Sequence, residues 1–420
     1  MTPPDPPGAP APPNPSSAAP VPPTGWGDRP PAGPGTGAQA VPDVPTLRIG
    51  SLAVTPPVVL APMAGVTNAP FRRLCRSFGT ATGLYVSEMI TARGLAERNE
   101  KTIRMARFAD DEPVRSIQLY GTDPVAMAEA VRFLVDTEGA DHIDLNFGCP
   151  VAKVTRKGGG AALPVRRALF AAVVRVAVGA AGAVPVTVKM RIGVDETLPT
   201  FLDAGQIAAD EGVAAVALHA RTARQHYSGQ ADWSAIAELR AKLPAEVPVL
   251  GNGDIWQPAD ARAMIAATGC DGVVVGRGCL GRPWMFRDIA VAMTGGTPPG
   301  PPPLGEVAAV LRRHAGLLAD WKTEPLALVD LRKHVSWYLH GYPVGGDVRR
   351  ALMAATSLAD LDRVLATLDP TVTPLPGSEK EPRGKTSGPQ RKVVLPVGWL
   401  DTPDDPTPVI DDDVNALTGG

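Results

Sequence analysis

Short apolar runs alternate with amphipathic stretches through the middle of the chain. Eight short runs are β-branched or apolar, with a polar residue or a glycine at or near their ends: VVLA (58–61), GLYVS (83–87), VRSIQLY (114–120), HIDLN (142–146), VPVTVKM (184–190), AAVALH (214–219), VPVLGN (247–252) and DGVVVG (271–276). The stretches between them have helical periodicity, and 123–139 begins with an aspartate suited to an N-cap. Strands that alternate with helices form parallel sheets. Eight such units predict an α/β fold, a (β/α)8 TIM barrel, over residues 47–297.

The pattern changes on both sides of this region. Residues 304–369 follow a proline linker, keep helical periodicity and contain no strand-like run, so we predict a small all-helical domain. Residues 1–46 are rich in proline, glycine and alanine and lack apolar periodicity, which predicts a disordered Pro-rich arm. Residues 370–420 are polar and end in acidic residues, which predicts a flexible tail. The expected molecule is therefore a barrel followed by a helical domain, with disordered N- and C-terminal tails.

Composition excludes several classes of protein. Hydrophobic residues make up 44% of the 420-residue chain, too many for a wholly disordered protein. No apolar run reaches the ~18 residues of a membrane span, and the first residues lack the pattern of a secretory signal. The four cysteines form no C-x-x-C pair, which argues against a disulfide scaffold or structural zinc. We expect a cytoplasmic, monomeric protein with no membrane and no metal site.

Charge permits a polyanionic partner without requiring one. The formal net charge is −2, but acidic residues are concentrated in the two predicted tails. Residues 47–370 hold 35 basic and 32 acidic side chains, so the predicted folded part is mildly basic.

Polar residues cluster at the predicted strand ends, where barrel enzymes place their chemistry. Reading these ends in order gives Pro62-Met63-Ala64, Glu88, Gln118, Asn146 with Cys149, Lys189, His219 with Arg221, Asn252-Gly253-Asp254 and Gly276-Arg277. One polar residue at a strand end is common in any α/β protein, because the chain is leaving the core there. Eight specialised ends together favour a functional site.

Two of these residues suit particular chemistry. Cys149 lies in a glycine- and proline-containing turn on the predicted rim, although a lone cysteine is more often a small buried hydrophobe. No histidine lies close to Cys149 in sequence to act as its base, but a thiol that donates a proton needs none. Lys189 ends an apolar strand, where its cation would stabilise negative charge on a bound cofactor.

The glycine-rich turns after strands seven and eight suit a phosphate group. Glycines at 251–254 and 276–278 let backbone N–H groups approach a phosphate, and Arg277 adds a charged donor. These two loops are the usual phosphate site of a TIM barrel. Residues 276–281 also match G-x-G-x-x-G, but no second strand with an acidic end follows. The sequence therefore predicts a mononucleotide site and no separate dinucleotide domain.

Six motifs in this order resemble the FMN-dependent tRNA-dihydrouridine synthases of bacterial type: APMAGVT (61–67), NFGCP (146–150), KMRIG (189–193), HART (219–222), GNGDI (251–255) and GRG (276–278). The resemblance covers about residues 57–370. It implies an FMN-bearing barrel that reduces the C5=C6 bond of uridine in tRNA, NADPH as the reductant, and a helical domain that helps to hold the tRNA.

The resemblance also implies roles for individual residues. Cys149 would give a proton to uracil C5. Three residues would contact the target uridine: Asn146, Arg221 and Arg224. Eleven would contact FMN: Pro62, Met63, Ala64, Gln118, Lys189, His219, Asn252, Gly253, Asp254, Gly276 and Arg277. The chain departs from the family after the HART motif, where Ala223 stands in place of a frequent basic residue and Arg224 follows.

Other interpretations of the sequence remain open at this point. A flavin barrel of the dihydroorotate type would reduce a free pyrimidine, although such a substrate needs no helical platform. A non-catalytic tRNA-binding flavoprotein would not need Cys149 and Lys189. Two cations and three glycines at 156–160 predict either a flexible RNA-facing loop or a solvated turn. The basic pair Arg332-Lys333 in the helical region predicts either an RNA contact or a solvated helix face.

Overall fold

A computed structural model describes residues 46–80, 82–384, 390 and 392–409. The predicted Pro-rich arm, except Thr46, lies outside the described residues, as do residues 410–420 at the end of the predicted tail. The described part begins with an antiparallel hairpin of β1 (Leu47–Ile49) and β2 (Leu52–Val54). Its side chains pack against inward-facing residues of the barrel strands. The sequence pattern did not predict this hairpin, because three-residue strands are too short to show alternation.

The central sheet confirms the predicted barrel. Its parallel strands are β3 (Val58–Leu60), β4 (Leu84–Tyr85), β5 (Met89–Thr91), β6 (Ser116–Tyr120), β7 (His142–Phe147), β8 (Val186–Arg191), β9 (Ala215–His219), β10 (Val249–Asn252) and β11 (Gly272–Val275). They are hydrogen-bonded in the order β4-β3-β11-β10-β9-β8-β7-β6-β5. β4 pairs with β3, and β5 pairs with β6. Because β4 and β5 are the two halves of one barrel strand, nine short strands make the eight positions of a (β/α)8 barrel.

Helices follow the strands and bury their apolar faces against the sheet. They are α1 (Ala69–Phe78), α2 (Ala92–Ala96), α3 (Glu100–Ala106), α4 (Pro124–Asp136), α5 (Ala152–Thr155), α6 (Arg167–Ala181), α7 (Phe201–Asp210), α8 (Trp233–Lys242), α9 (Pro258–Thr268) and α10 (Met285–Met293). The predicted aspartate cap is present: Asp123 Oδ1 accepts a hydrogen bond from Val125 N at 2.9 Å. Asn68 caps α1 in the same way, through a hydrogen bond from Phe71 N.

Residues after the barrel form helices, as predicted. They are α11 (Leu304–Trp321), α12 (Glu324–Tyr338), α13 (Gly346–Ala354) and α14 (Leu358–Leu365). Their apolar faces form one cluster that also includes Leu74 of α1 and Trp284 before α10. The helical region is therefore attached to the barrel through an apolar contact as well as through the chain. None of the helices in the described ranges is long and apolar enough to cross a membrane.

The C-terminal segment differs from the flexible tail predicted from residue 370. Ser378, Arg383 and Trp399 are each at most 5% exposed, and Trp399 belongs to the main apolar cluster of the barrel. The composition of this segment is polar on average, and an average does not reveal a few anchoring side chains. Trp399 finds its partners, Ala162 and Arg166, on the barrel more than 200 residues earlier in the chain, whereas Arg383 donates to Trp337 O of the helical region.

Candidate functional site

The turn that carries Cys149 is shaped by the side chain of Asn146. Asn146 Oδ1 accepts hydrogen bonds from the backbone N–H of Gly148 at 3.1 Å and of Cys149 at 2.9 Å. Its Nδ2 donates to Gln118 Oε1 at 2.8 Å, across to the neighbouring strand β6. The structure thus brings together three predicted site residues. The Asn146 side chain holds the turn that carries Cys149, a role that the sequence did not indicate.

A buried hydrogen-bonded chain continues from this turn into the barrel interior. Gln118 Nε2 donates to Asp144 Oδ2 at 2.6 Å, and Thr187 Oγ1 donates to Asp144 Oδ1 at 2.6 Å. Thr187 Oγ1 also lies 3.0 Å from His142 Nε2, whose other nitrogen lies 2.8 Å from Ser116 Oγ. Burial raises the pKa of Asp144 to about 6.

Sequence reasoning missed Asp144, although a signal was present. His142, Asp144 and Asn146 alternate along β7, so their side chains point to the same face of the strand. Three polar residues on the inner face of a barrel strand are unusual, because that face is normally filled by apolar side chains. The alternation therefore indicated a polar network that reaches the rim.

The Cys149 thiol is held in its protonated form. Burial raises its pKa above the ordinary value, against smaller opposing effects of the Val151 backbone and the Arg191 charge. Arg191 also fixes the turn from the other side: its Nε donates to Gly148 O at 2.8 Å, and its Nη1 donates to Thr222 O at 2.9 Å. Arg191 was not among the predicted site residues. Its position two residues after Lys189 on β8 was the available signal.

Two nitrogen-bearing side chains lie at the rim beside this turn. Lys189 is opposite Asn146 in the β7–β8 register, and its amine makes no hydrogen bond or ion pair within the described part of the chain. Burial lowers the pKa of Lys189 to about 8, with a further contribution from Arg191. Burial and the neighbouring cations lower the pKa of His219 well below its ordinary value, so its imidazole is neutral. The rim thus presents a cationic donor and a neutral ring to a bound group.

The opposite side of the rim is rich in arginine. Arg221 Nη2 donates to both carboxylate oxygens of Asp254 at 2.8 Å. The guanidinium of Arg277 lies 4.5 Å from the ring centroid of Tyr227 and 4.9 Å from that of Trp256. These five side chains line a cavity of about 560 Å³. The arrangement gathers positive charge beside the turns predicted to hold a phosphate.

The structure does not require glycine equally at each position of these turns. A Cβ on Gly278 would lie 2.1 Å from Ile255 O, so this glycine is required by close packing. A Cβ on Gly276 would make only ordinary contacts, 3.5 Å from Ala61 Cβ and 3.9 Å from Met63 Sδ, so close packing does not require a glycine there. Gly253 has φ +133°, which side-chain-bearing residues rarely adopt. The side chain of Asn252 donates to Val274 O at 2.7 Å and ties β10 to β11.

The first predicted motif forms a tight turn after β3. Met63 O accepts hydrogen bonds from Val66 N at 2.9 Å and from Thr67 N at 3.1 Å. Pro62 and Met63 are half-buried and Ala64 is exposed. Met63 Sδ would lie 3.9 Å from a Cβ built on Gly276, so this turn forms an apolar wall beside the turn after β11.

Three further predicted features have the following positions. Arg221 is 1% exposed, and it also donates to Gly229 O at 2.7 Å, so it lies beneath the loop after β9, where it lines the arginine-rich cavity. Arg224 is exposed, and its backbone N donates to Val194 O. In the 156–160 loop the three glycines are buried, whereas Arg156 is exposed and Lys157 is half-buried. No group of three or more His, Cys, Asp or Glu side chains among the described residues is placed to hold a metal ion.

Comparison with known proteins gives consistent matches. A family model described as "Dihydrouridine synthase (Dus)" matches residues 59–372. The chain is 54% identical over 374 residues to a "Probable tRNA-dihydrouridine synthase" of Mycobacterium tuberculosis (strain ATCC 25618 / H37Rv), which covers 87% of this chain and 95% of that protein. A protein of the same name from Mycobacterium leprae (strain TN) is 52% identical, covering 85% and 99%. "tRNA-dihydrouridine synthase B" of Xanthomonas axonopodis pv. citri (strain 306) is 39% identical, covering 74% and 91%.

Proposed function

The chain belongs to the dihydrouridine synthase family, which makes it an oxidoreductase that reduces uridines of tRNA, and we propose that it does so with FMN as cofactor, NADPH as reductant and Cys149 as proton donor. The observation that supports this chemistry best is the Cys149 turn. Its thiol is held protonated, and it is fixed by Asn146 and Arg191 on the same rim as the unpaired amine of Lys189.

The residues at the rim fit a flavin mononucleotide. The Lys189 amine has no protein partner within the described part of the chain, and Arg221 and Arg277 line a cavity of about 560 Å³ beside the turns after β10 and β11. We infer that Gln118, Lys189 and His219 hold the polar edge of the ring. The turns at 252–254 and 276–277 would hold the phosphate, and 62–64 would form the apolar wall. When bound, FMN supplies the hydride that adds to C6 of the uracil.

Cys149 completes the reduction by giving a proton to C5. The S–H bond breaks and a C5–H bond forms, so hydride and proton together saturate the C5=C6 bond. A thiol whose pKa is raised keeps its proton until the base arrives, as a general acid must. The charge of Arg191 favours the thiolate that remains, which then takes a proton from water.

Features of the helical region favour a polymeric substrate over a free pyrimidine. Lys333 of α12 lies beside the turn after β3, with its Nζ 3.9 Å from a Cβ built on Gly65. It is paired with Asp330, whereas Arg332 on the same helix is exposed. We propose that this edge contacts the tRNA backbone near the rim, in the cytoplasm where tRNA is found. NADPH would reach the flavin from the same face in turn with the RNA, which predicts ping-pong kinetics.

The first experiment separates the two halves of the reaction in a Cys149→Ala variant. We expect reduction of bound flavin by NADPH to stay normal, because the thiol takes no part in it. Reduction of uridine in unmodified tRNA should fall by about 10²- to 10⁴-fold, the usual contribution of general acid catalysis. The two rates are measured by anaerobic stopped-flow absorbance and by dihydrouridine analysis of the tRNA.

Cys270→Ala is the matched control, because Cys270 is 2% exposed and precedes β11 at the opposite end of that strand. It should leave both rates unchanged. Normal tRNA reduction by Cys149→Ala would show that another group supplies the proton. Turnover of free uridine or orotate at a rate similar to tRNA would support the free-pyrimidine alternative, and wild-type protein that reduces neither would support the non-catalytic one.

A further inference from the structure

A short C-terminal segment, residues 396–405, packs against the barrel next to the Cys149 turn; we name it the C-terminal strap. Its central residue, Trp399, is 2% exposed. The indole Nε1 donates a hydrogen bond to Ala162 O at 2.8 Å. The ring lies directly against Gly158, because a Cβ built on that glycine would be 2.5 Å from Trp399 Cη2. Any larger residue at 158 would displace the indole.

A buried arginine of the barrel is satisfied by the strap. Arg166 is 6% exposed, and its guanidinium lies 4.6 Å from the ring centroid of Trp399. It donates to Trp399 O at 2.8 Å and to Gly398 O at 3.2 Å, and it forms an ion pair with Asp405 at 2.7 Å. All of these partners belong to the strap. The strap therefore both covers this cation and supplies the hydrogen-bond partners that a buried charge requires.

The residues held by the strap touch Cys149 on their other side. Ala161 N donates to Cys149 O at 3.1 Å. A Cβ built on Gly160 would lie 2.5 Å from Cys149 O and 3.1 Å from Cys149 Cβ. Residues 158–162 therefore lie between the indole of Trp399 and the backbone of Cys149. Asn146 and Arg191 hold the turn from within the barrel, and the strap closes the remaining side.

We propose that Trp399 and Arg166 are positioning residues for the reaction: they hold residues 158–162 against Cys149 and so set the direction of its thiol. The inference rests on the proposed role of Cys149 as proton donor. A proton donor must lie within hydrogen-bond reach of the carbon that it protonates, so a small displacement of the turn lowers the rate steeply. Reduction of the flavin by NADPH does not involve this turn and therefore does not depend on the strap.

The test uses the full-length protein and a Trp399→Ala variant. Flavin reduction by NADPH should stay within about twofold of wild type, whereas reduction of tRNA by the pre-reduced enzyme should fall about 10- to 100-fold, the cost of a misplacement of about 1 Å. Alkylation of Cys149 by iodoacetamide, followed by peptide mass spectrometry, should become faster because the turn opens. Cys75, Cys270 and Cys279 are buried and serve as internal references.

Three further variants sharpen the test. Leu400→Ala is the matched control, because Leu400 is the next residue and is 52% exposed, and it should behave as wild type. Trp399→Phe keeps a ring against Gly158 and Arg166 and should restore most of the tRNA step. Asp405→Asn removes one ion pair to Arg166 without opening a cavity, and it should give an intermediate change in both tRNA reduction and alkylation.

The proposal would be overturned if Trp399→Ala showed wild-type rates of Cys149 alkylation and of tRNA reduction. An equal loss of flavin reduction by NADPH and of tRNA reduction would also overturn it. If Trp399→Ala does not fold, the same readings on Asp405→Asn and Trp399→Phe decide between these outcomes. Failure of the proposed function is recognised separately: Cys149→Ala would then retain tRNA reduction, while the alkylation rate of Cys149 would still report whether the strap holds the turn.

Discussion

On the side of the rim formed by β6–β8, polar side chains are hydrogen-bonded to one another in a chain that runs into the barrel. On the side formed by β9–β11, Arg221 and Arg277 both pair with Asp254, and Arg277 also lies over two aromatic rings. The first side carries an uncharged thiol and a buried acid whose pKa is raised. The second carries cations in a cavity.

The difference indicates a division of labour within one rim. Proton transfer requires a donor in a fixed direction, and a buried network supplies rigidity because each member has its partners. Binding of a phosphate requires positive charge and open backbone donors, which need less precise direction. Lys189 lies on β8, the strand of the first side that is next to the second side. Under the proposed function it is therefore placed to act beside both the proton donor and the cofactor. Substitutions on each side should therefore impair different steps.

The largest effect is expected from Lys189→Met. Removal of a donor aimed at developing charge costs on the order of 10²- to 10³-fold in rate. Reduction of flavin by NADPH and reduction of tRNA should both fall, measured by stopped-flow and by dihydrouridine analysis. The melting temperature should not fall, because burial already disfavours this charge and lowers its pKa to about 8. Lys153→Met, on the exposed surface of α5, is the control. Normal flavin reduction in Lys189→Met would show that Lys189 is not part of the cofactor site.

The next effect concerns the stability of the proton side, tested by Asp144→Asn. Burial raises the pKa of Asp144 from 3.8 to about 6, so the folded state binds more protons than the unfolded state between these values. The stability that Asp144 contributes therefore falls as pH rises from about 4 to 6. Above pH 6 the folded protein bears the full free-energy cost of the ionised, buried carboxylate, about 3 kcal/mol.

Relative to wild type, Asp144→Asn should thus gain stability as pH rises from 4 to 7, measured by urea unfolding at each pH. Asp136→Asn, on the exposed end of α4, controls for the loss of one negative charge. A stability difference between Asp144→Asn and wild type that does not change with pH would show that Asp144 is not the titrating group.

The smallest effect is expected on the phosphate side, from Arg277→Ala. Loss of one hydrogen bond to a charged group costs about 1.5–3 kcal/mol, which should weaken FMN affinity roughly 10- to 150-fold. At saturating FMN the rate of tRNA reduction should return to normal, because this side takes no part in proton transfer. Arg262→Ala, an exposed arginine on α9, is the control in the same fluorescence titration. A rate defect that excess FMN does not correct would contradict the division between the two sides.

Local patterns were sufficient to predict the barrel and the position of its rim. Each strand shows its own apolar run and each turn its own glycine or polar end, so β3 and β6–β11 appear where the pattern placed them. The parallel arrangement then brings the strand ends together, which is why Gln118, Asn146, Cys149 and Lys189 could be assigned to one site from the sequence. The hairpin β1–β2 was too short to be recognised in this way.

Only the tertiary structure decided how those residues are held. The two partners of Asp144, Gln118 and Thr187, lie on the strands on either side of it, and Arg221 is held under its loop in part by Asp254, which follows the next strand. Trp399 meets residues 158–166 across more than 230 positions of the chain, inside a segment whose average composition is that of a flexible tail. Such contacts depend on which distant residues the fold makes adjacent, and no local periodicity records that. The sequence therefore determined the barrel and the chemistry at its rim, whereas the packing of distant segments determined the geometry of the Cys149 turn.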